Sequence, residues 1–170
     1  MGLRLQLVSF FNANLGAIFL LVAVFTNHWA GRENANIHTY ENLSTKCSIH
    51  KHDNKARVAC KLIETTFGHW KGEFLPVKTF LYASLVVHLI SIFVSIYVIC
   101  KNDINKTEKW LAVMQTAILI LALVGLSIYA TQYDSNYYSL KWSYAFAWGG
   151  IMCMFAALVV TIINIDIKRK

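Results

Sequence analysis

Residues 29–60 read WAGRENANIHTYENLSTKCSIHKHDNKARVAC, a polar stretch in a chain that is otherwise mostly hydrophobic. Lys, Glu, His and Asn alternate here with single apolar residues, and two cysteines lie among them. The chain of 170 residues is 56% hydrophobic and only 15% charged, whereas about a quarter of the residues in a soluble domain are charged. The contrast between this stretch and its flanks predicts a membrane protein with one long polar loop.

Four apolar stretches accompany this loop. A hydrocarbon core of about 30 Å requires about 20 apolar residues per helix, and four stretches of the chain meet that length. We predict helices over residues 5–26, 76–99, 110–130 and 142–165, joined on one side of the membrane by loops 27–75 and 131–141. The predicted fold class is an all-α membrane protein with a four-helix bundle, in which residues 1–170 form a single domain.

Cys47 and Cys60 lie in the long loop, whereas Cys100 and Cys153 lie at the end of one helix and within another. A disulfide persists only in an oxidising compartment. A bridge between the loop cysteines would therefore place the loop in the lumen during synthesis and outside the cell afterwards. Closing about 14 residues stabilises a loop by about 3 kcal/mol in the chain-entropy model. Two unrelated thiols are the alternative.

A glycosylation sequon, Asn42-Leu43-Ser44, lies in the same loop and can be used only on the lumenal side. Because four helices alternate sides, we predict that both loops are extracellular and both termini cytoplasmic. The predicted location of the protein is the plasma membrane, with cell junctions as a candidate site within it. A second sequon at Asn105 falls on the opposite side and is interpreted as chance. The positive-inside rule opposes this orientation by raw count, since more of the 16 basic residues fall outside than inside.

Two segments of the long loop have the character of β-strands. Residues 37–40 and 57–63 alternate in polarity or contain β-branched residues, which predicts a sheet over the helix bundle. The disulfide would then join two such strands. The histidines of the loop match no known spacing of metal ligands; they are His38, His50, His52 and His69. We predict no metal site and no cofactor.

Aromatic residues near the two loops are the candidate contacts with partners. Trp29 follows the first helix at the depth where an amphipathic ring suits the membrane interface. Tyr40 belongs to one predicted strand, and the second loop contains Tyr133, Tyr137 and Tyr138. These tyrosines could grip a partner or lie in the belt of lipid headgroups, and both interpretations stay open.

Small residues recur at every fourth position of the fourth helix and predict a seam for close helix packing: Ala145, Gly149, Cys153 and Ala157. A second set of residues forms a polar stripe on the second helix: Ser84, His88, Ser91 and Ser95. We interpret the stripe as a packed inner face, with a relay or cavity lining as the alternative. Asn12 and Asn14 are predicted to form hydrogen bonds between helices, and a ligand site is the alternative.

Several functions are excluded by what the chain contains. The formal charge of +7 is spread over every polar segment, and no aromatic platform accompanies it, so nucleic-acid binding is not predicted. No nucleophile, base and orienting group form a catalytic constellation. We therefore predict neither an enzyme nor a small-molecule substrate.

The order of these features resembles the claudin superfamily over the whole chain, and is most similar to its branch of peripheral myelin protein and epithelial membrane proteins. The tryptophan after helix one, the sequon before the first loop cysteine and the short second loop correspond to that pattern. Further similarities lie in helices three and four: Gln115, Ser127-Ile128-Tyr129, Ser143-Tyr144 and Ala147-Trp148.

The resemblance implies a left-handed four-helix bundle with a small extracellular antiparallel sheet, braced by a Cys47–Cys60 disulfide. It also implies a non-enzymatic protein that acts through cell–cell or lateral membrane contacts, in adhesion, junctions or membrane organisation. The partners would be membrane lipid and other membrane proteins, including further copies of this chain. The alternative function is an auxiliary subunit that docks on a larger ion channel or receptor and modulates it.

Overall fold

A computed structural model describes residues 2–26, 28–34, 37–41, 43, 45–52, 55–62, 74–101, 105–131 and 139–169. Its helices are α1 (Gly2–Phe25), α2 (Phe74–Lys101), α3 (Asn105–Thr131) and α4 (Trp142–Arg169). Its strands are β1 (Ala30–Asn34), β2 (Ile37–Glu41), β3 (Thr45–His52), β4 (Lys55–Leu62) and β5 (Ser139–Leu140). The four predicted helices are confirmed, and each extends a few residues beyond at least one of its predicted limits.

All four helices are long and apolar enough to cross a membrane. Their outward faces carry large hydrophobic side chains that no other part of the described chain covers, among them Phe11, Phe93, Trp110 and Met152. A helix that is apolar on every side suits a membrane. Lipid covers its outer face, and the other helices cover its inner face. The chain is thus a multi-pass membrane protein.

The backbones of α1 and α4 approach each other closely at two glycines. A Cβ atom added to Gly16 would lie 2.7 Å from the carbonyl oxygen of Gly150, and the reverse substitution meets the carbonyl oxygen of Gly16 at 2.7 Å. Such distances leave no room for a side chain, so the two backbones touch at this crossing. Small residues permit this contact, and close packing is what holds helices together in lipid.

The predicted small-residue seam on α4 does not coincide with this crossing. Ala157 is buried, Gly149 and Cys153 are partly buried, and Ala145 is exposed. A Cβ on Gly149 would meet the ring of Phe19 at 3.5 Å, an ordinary van der Waals contact. The inward face of α4 instead passes through Gly150, one residue and about 100° further around the helix. The role assigned to Ala145 is corrected, because it faces away from the bundle.

The polar residues of α1 and α2 also differ in outcome. The stripe on α2 is buried throughout, which supports an inner face, and the hydroxyl of Ser95 donates to the carbonyl of Ser91 at 2.7 Å. Ser95 also lines a small cavity between the helices, so the alternative of cavity lining holds at this one position. In contrast, Asn12 donates to the carbonyl of Val8 at 2.9 Å and Asn14 to that of Phe10 at 2.8 Å, both within α1. The predicted hydrogen bonds between helices are therefore wrong for these two residues, since each amide reaches its own preceding turn.

The strands form one antiparallel sheet in the order β4-β3-β2-β1-β5. Cys47 on β3 is bonded to Cys60 on β4, directly opposite in the register. The predicted disulfide is confirmed, but it joins β4 to the unpredicted β3 and not to the predicted segment at 37–40. That segment is β2, and most of 57–63 falls in β4, while Ile63 lies outside the described residues.

Candidate interaction surface

Trp29 attaches the sheet to the helices at the end of the bundle where α1 ends and α4 begins. We call this end the sheet end. Its side chain is fully buried, and its indole Nε1 donates to the carbonyl oxygen of Ala23 at 2.6 Å. The ring centroid lies 4.8 Å from that of Tyr129 on α3 and 6.3 Å from that of Tyr144 on α4. Leu43, between β2 and β3, is buried in the same hydrophobic core. One side chain therefore ties three helices to the sheet.

The predicted partner contact at Trp29 is corrected by this position. A ring with no exposed surface cannot touch another protein, and its hydrogen bond is already made inside the bundle. A tryptophan that follows a membrane helix is expected at the membrane–water interface. Trp29 is buried in the protein instead, because Tyr129 and Tyr144 of two other helices pack against its ring.

Backbone hydrogen bonds join the start of the sheet to the start of α4. The amide of Lys141 donates to the carbonyl of Trp29 at 3.0 Å, and the amide of Ser143 donates to that of His28 at 3.2 Å. The hydroxyl of Thr26 donates to the buried hydroxyl of Ser143 at 2.8 Å. These bonds continue the pairing of β1 with β5. The end of the second loop is thus attached to the sheet.

Three stacked rings lie at the outside of this junction. The imidazole of His28 is parallel to the ring of Tyr40 on β2, with centroids 5.2 Å apart, and it stacks on Trp142 of α4 at 5.5 Å. His28 is exposed, Trp142 is 44% exposed and Tyr40 is partly buried. We call these three residues the aromatic stack. It is a polar-edged aromatic surface of the kind that proteins use at interfaces.

Among the described strands, β4 and the two-residue β5 lie at the two edges of the sheet, and β4 is the longer of them. Within the described strands, β4 pairs with β3 alone. The Cα atoms of Cys47 and Cys60 are 4.1 Å apart, which fits a non-hydrogen-bonded antiparallel pair, for which about 4.5 Å is typical. The N–H and C=O groups of Cys60 and, two residues away, Val58 therefore point away from β3. They form a row of backbone groups that a further strand could pair with.

The predicted glycosylation site and three of the predicted contact tyrosines stay predictions. Asn42, Tyr133, Tyr137 and Tyr138 lie outside the described residues. Among the His, Cys, Asp and Glu residues that the structure describes, no three come together as a possible metal site. His28 and Trp142 were not singled out from the sequence, because their stacking brings together the end of α1, β2 and the start of α4, which are distant along the chain.

Four membrane-length helices, topped at one end by a small disulfide-braced antiparallel sheet, define a four-span membrane protein with a folded loop domain. The sequence of residues 1–164 matches the family model of the PMP-22/EMP/MP20/Claudin family. The chain belongs to this family, which confirms the predicted superfamily, while the narrower branch stays a prediction. A search of curated proteins gave no match. Family membership supports a non-enzymatic membrane protein with a role at junctions or in the membrane.

Proposed function

We propose that this protein makes adhesive or lateral contacts between plasma membranes or within one of them, and that β4 and the aromatic stack are its contact surfaces. The observation that carries the proposal is the rigid attachment of the sheet to the bundle through Trp29. A sheet fixed in this way can present an edge strand without losing much conformational entropy when a partner binds.

The edge of β4 suits the addition of a strand from another protein. Main-chain hydrogen bonds supply affinity in this mode of recognition, and the side chains of alternate residues supply specificity. The sequence of β4 contains Lys55, Arg57 and Lys61 and no acidic residue. Like charges on directly opposed strands are destabilising, so this composition favours an acidic partner segment over the pairing of two β4 strands.

The aromatic stack is a second contact surface, which β3 separates from the edge of β4. Its three rings are held by each other and by the hydrogen bond from Ser143 to His28. Aromatic rings that are already ordered lose little entropy on binding and contribute large contact areas. A partner could pack its own aromatic or apolar residues against these rings independently of pairing with β4.

Val58→Pro tests the edge, because it removes an outward-pointing N–H while the bonds between β3 and β4 remain. Full-length tagged protein is expressed in cells that do not otherwise aggregate, and cell aggregation and co-isolated membrane proteins are measured. We expect Val58→Pro to abolish both while the Cys47–Cys60 bond still forms. Val58→Ala is the matched control, since it shortens the side chain and keeps the donor.

Unchanged aggregation and co-isolation in Val58→Pro would contradict the proposal. Recovery of the wild-type chain with one large channel or receptor in a fixed ratio, without aggregation of cells, would favour the alternative of an auxiliary subunit. The exposed residues of α4 include Phe146, Trp148, Met152 and Phe155. Ala145 and Ala156 are exposed on the same helix, so α4 offers both bulky and small residues to a neighbouring membrane protein.

A further inference from the structure

The antiparallel register of β3 and β4 divides the residues of these two strands between two faces of the sheet. Successive residues of a strand belong to opposite faces, whereas residues that are directly opposed on neighbouring strands belong to the same face. One face, which we call the cysteine face, contains the disulfide and three further opposed pairs: Thr45 with Leu62, Ile49 with Val58 and Lys51 with Ala56. Apart from Lys51, this face has no charged residue in the two strands.

The other face, which we call the basic face, contains most of the positive charge of the two strands. Its opposed pairs are Lys46 with Lys61, Ser48 with Ala59, His50 with Arg57 and His52 with Lys55. Of the lysines and arginines in β3 and β4, only Lys51 lies on the cysteine face. Neither strand contains an acidic residue. The sequence of the two strands therefore separates apolar from basic residues by face.

Two residues of the cysteine face show which side of the sheet is turned toward the helices. Tyr40 of β2 is opposed to both Gly31 and Cys47, so these three residues share one face. The ring of Tyr40 belongs to the aromatic stack with Trp142 of α4. A Cβ atom on Gly31 would lie 2.9 Å from Cε of Lys141, the residue before α4. The basic face is therefore on the side of the sheet that is turned away from the start of α4.

The arrangement of charge on the basic face is unfavourable for the sheet by itself. Like charges that are directly opposed on neighbouring strands are destabilising, and Lys46 is opposed to Lys61. Arg57 and Lys55 are opposed to histidines, which supply no negative charge. On β2, Glu41 is opposed to Lys46 and is the single acidic residue on this face within the described strands. An anion bound along the face would offset the repulsion that Glu41 leaves.

We propose that the basic face binds a linear sulfated polysaccharide of the glycosaminoglycan class. Clusters of lysine and arginine attract polyanions of this kind. Alternate residues of a strand are about 6.6 Å apart and neighbouring strands about 4.8 Å, so the basic residues form two parallel rows along which an extended chain can lie. The inference goes beyond the proposed function, because it concerns a face of the sheet and not the edge of β4.

The compartment of the sheet selects this polyanion over others. The bond between Cys47 and Cys60 persists only in an oxidising compartment, which favours a lumenal or extracellular sheet. Anionic lipids are concentrated in the cytoplasmic leaflet of the plasma membrane, and nucleic acid belongs to the interior of the cell. Sulfated polysaccharides are the polyanions that a sheet on the outer surface meets.

The test measures binding of the full-length chain to immobilised heparin by surface plasmon resonance, with the chain in nanodiscs of phosphatidylcholine. Heparin is the probe because it is densely sulfated, and hyaluronan is the control because it has carboxylates and no sulfates. We expect the wild type to bind heparin and not hyaluronan. The Kd for heparin should rise with salt concentration, because release of counterions drives the binding of basic residues to a polyanion.

Two lysine variants locate the site. Lys61→Gln and Lys51→Gln each remove one positive charge from the same pair of strands, but only Lys61 lies on the basic face. A basic residue beside an anionic surface strengthens binding about five-fold. Lys61→Gln should therefore raise the Kd for heparin about five-fold, and adding Arg57→Gln should raise it about 25-fold in total. Lys51→Gln should leave the Kd nearly unchanged, and mass spectrometry checks that the Cys47–Cys60 bond forms in each variant.

Failure of the wild type to bind heparin, or equal binding to hyaluronan, would overturn the proposal. Equal effects of Lys61→Gln and Lys51→Gln would also overturn it, because binding would then depend on net charge alone. If polyglutamate displaces heparin as effectively as free heparin does, the sulfate assignment is overturned and the face is assigned to an acidic protein segment. Val58→Pro should keep heparin binding while it loses cell aggregation, which distinguishes this site from the edge of β4.

Discussion

The two ends of the bundle are held together by different chemistry. At the sheet end, Trp29, Tyr129 and Tyr144 pack ring against ring. At the opposite end, which we call the terminal end, Glu108 of α3 joins Gln6 of α1 to Asn164 of α4 through hydrogen bonds. Apolar side chains gain little by leaving lipid for protein, whereas water is excluded when they pack at a membrane surface. Aromatic burial is therefore effective beside the sheet, and polar contacts are effective between the helices.

Removal of the ring at the sheet end should have the largest effect. Trp29→Ala deletes a fully buried indole together with its bond to Ala23, and changes of this kind destabilise by about 3–5 kcal/mol. We expect little folded protein at the cell surface and a much lower Tm in detergent. Trp142→Ala is the control, since 44% of that residue is exposed. Equal losses of stability in the two variants would contradict the larger contribution that we assign to the buried ring.

Loss of the carboxylate at the terminal end should rank second. Glu108→Ala leaves the amides of Gln6 and Asn164 without their acceptor, and an unsatisfied buried polar group is destabilising by about 1–3 kcal/mol. We expect a loss of about 3 kcal/mol in reversible unfolding. In a double-mutant cycle with Gln6→Ala, the two losses should not add, because both remove the same bond. Additive losses would show that the bond contributes nothing.

The crossing between the two ends is tested by adjacent glycines. Gly150→Ala places a methyl group 2.7 Å from the carbonyl oxygen of Gly16 and should destabilise by about 1–3 kcal/mol, as overpacking does. Gly149→Ala meets only the Phe19 ring at 3.5 Å and should be neutral or slightly stabilising, because alanine favours helix. The Tm values of both variants are measured by thermal unfolding. A lower Tm for Gly149→Ala than for Gly150→Ala would contradict the observed contact and favour the predicted seam.

The long helices were predictable from the sequence because a length of about 20 apolar residues has few alternatives. The sheet was only half predictable. β2 and β4 contain recognisable patterns, but β3 reads TKCSIHKH, in which Cys47 and Ile49 are the only apolar residues. Its strand structure depends on pairing with both neighbours, and that information is not local. The pairing of the cysteines was predictable even though the strand was not.

The side chains that define the two ends were harder to predict. Trp29 was expected at the lipid interface, and its burial depends on tyrosines from two distant helices. Glu108 and Asn164 were not singled out, because isolated polar residues near helix ends are common in membrane proteins. Small residues at every fourth position predicted close packing on α4, but Gly149 and Gly150 are equally small. Only the facing backbone of Gly16 distinguishes them.

The aromatic stack should give the smallest change in stability and the clearest change in binding. Tyr40→Ala removes the ring that stacks on the imidazole of His28. A stacked aromatic pair contributes about 1 kcal/mol to stability. We expect Tm to fall slightly while cell aggregation falls several-fold, because the stack faces outward at the sheet end. Tyr40→Phe keeps the ring and should retain aggregation. If Tyr40→Ala aggregates cells as well as the wild type does, the stack only supports the sheet, and contact with partners must depend on the β4 edge.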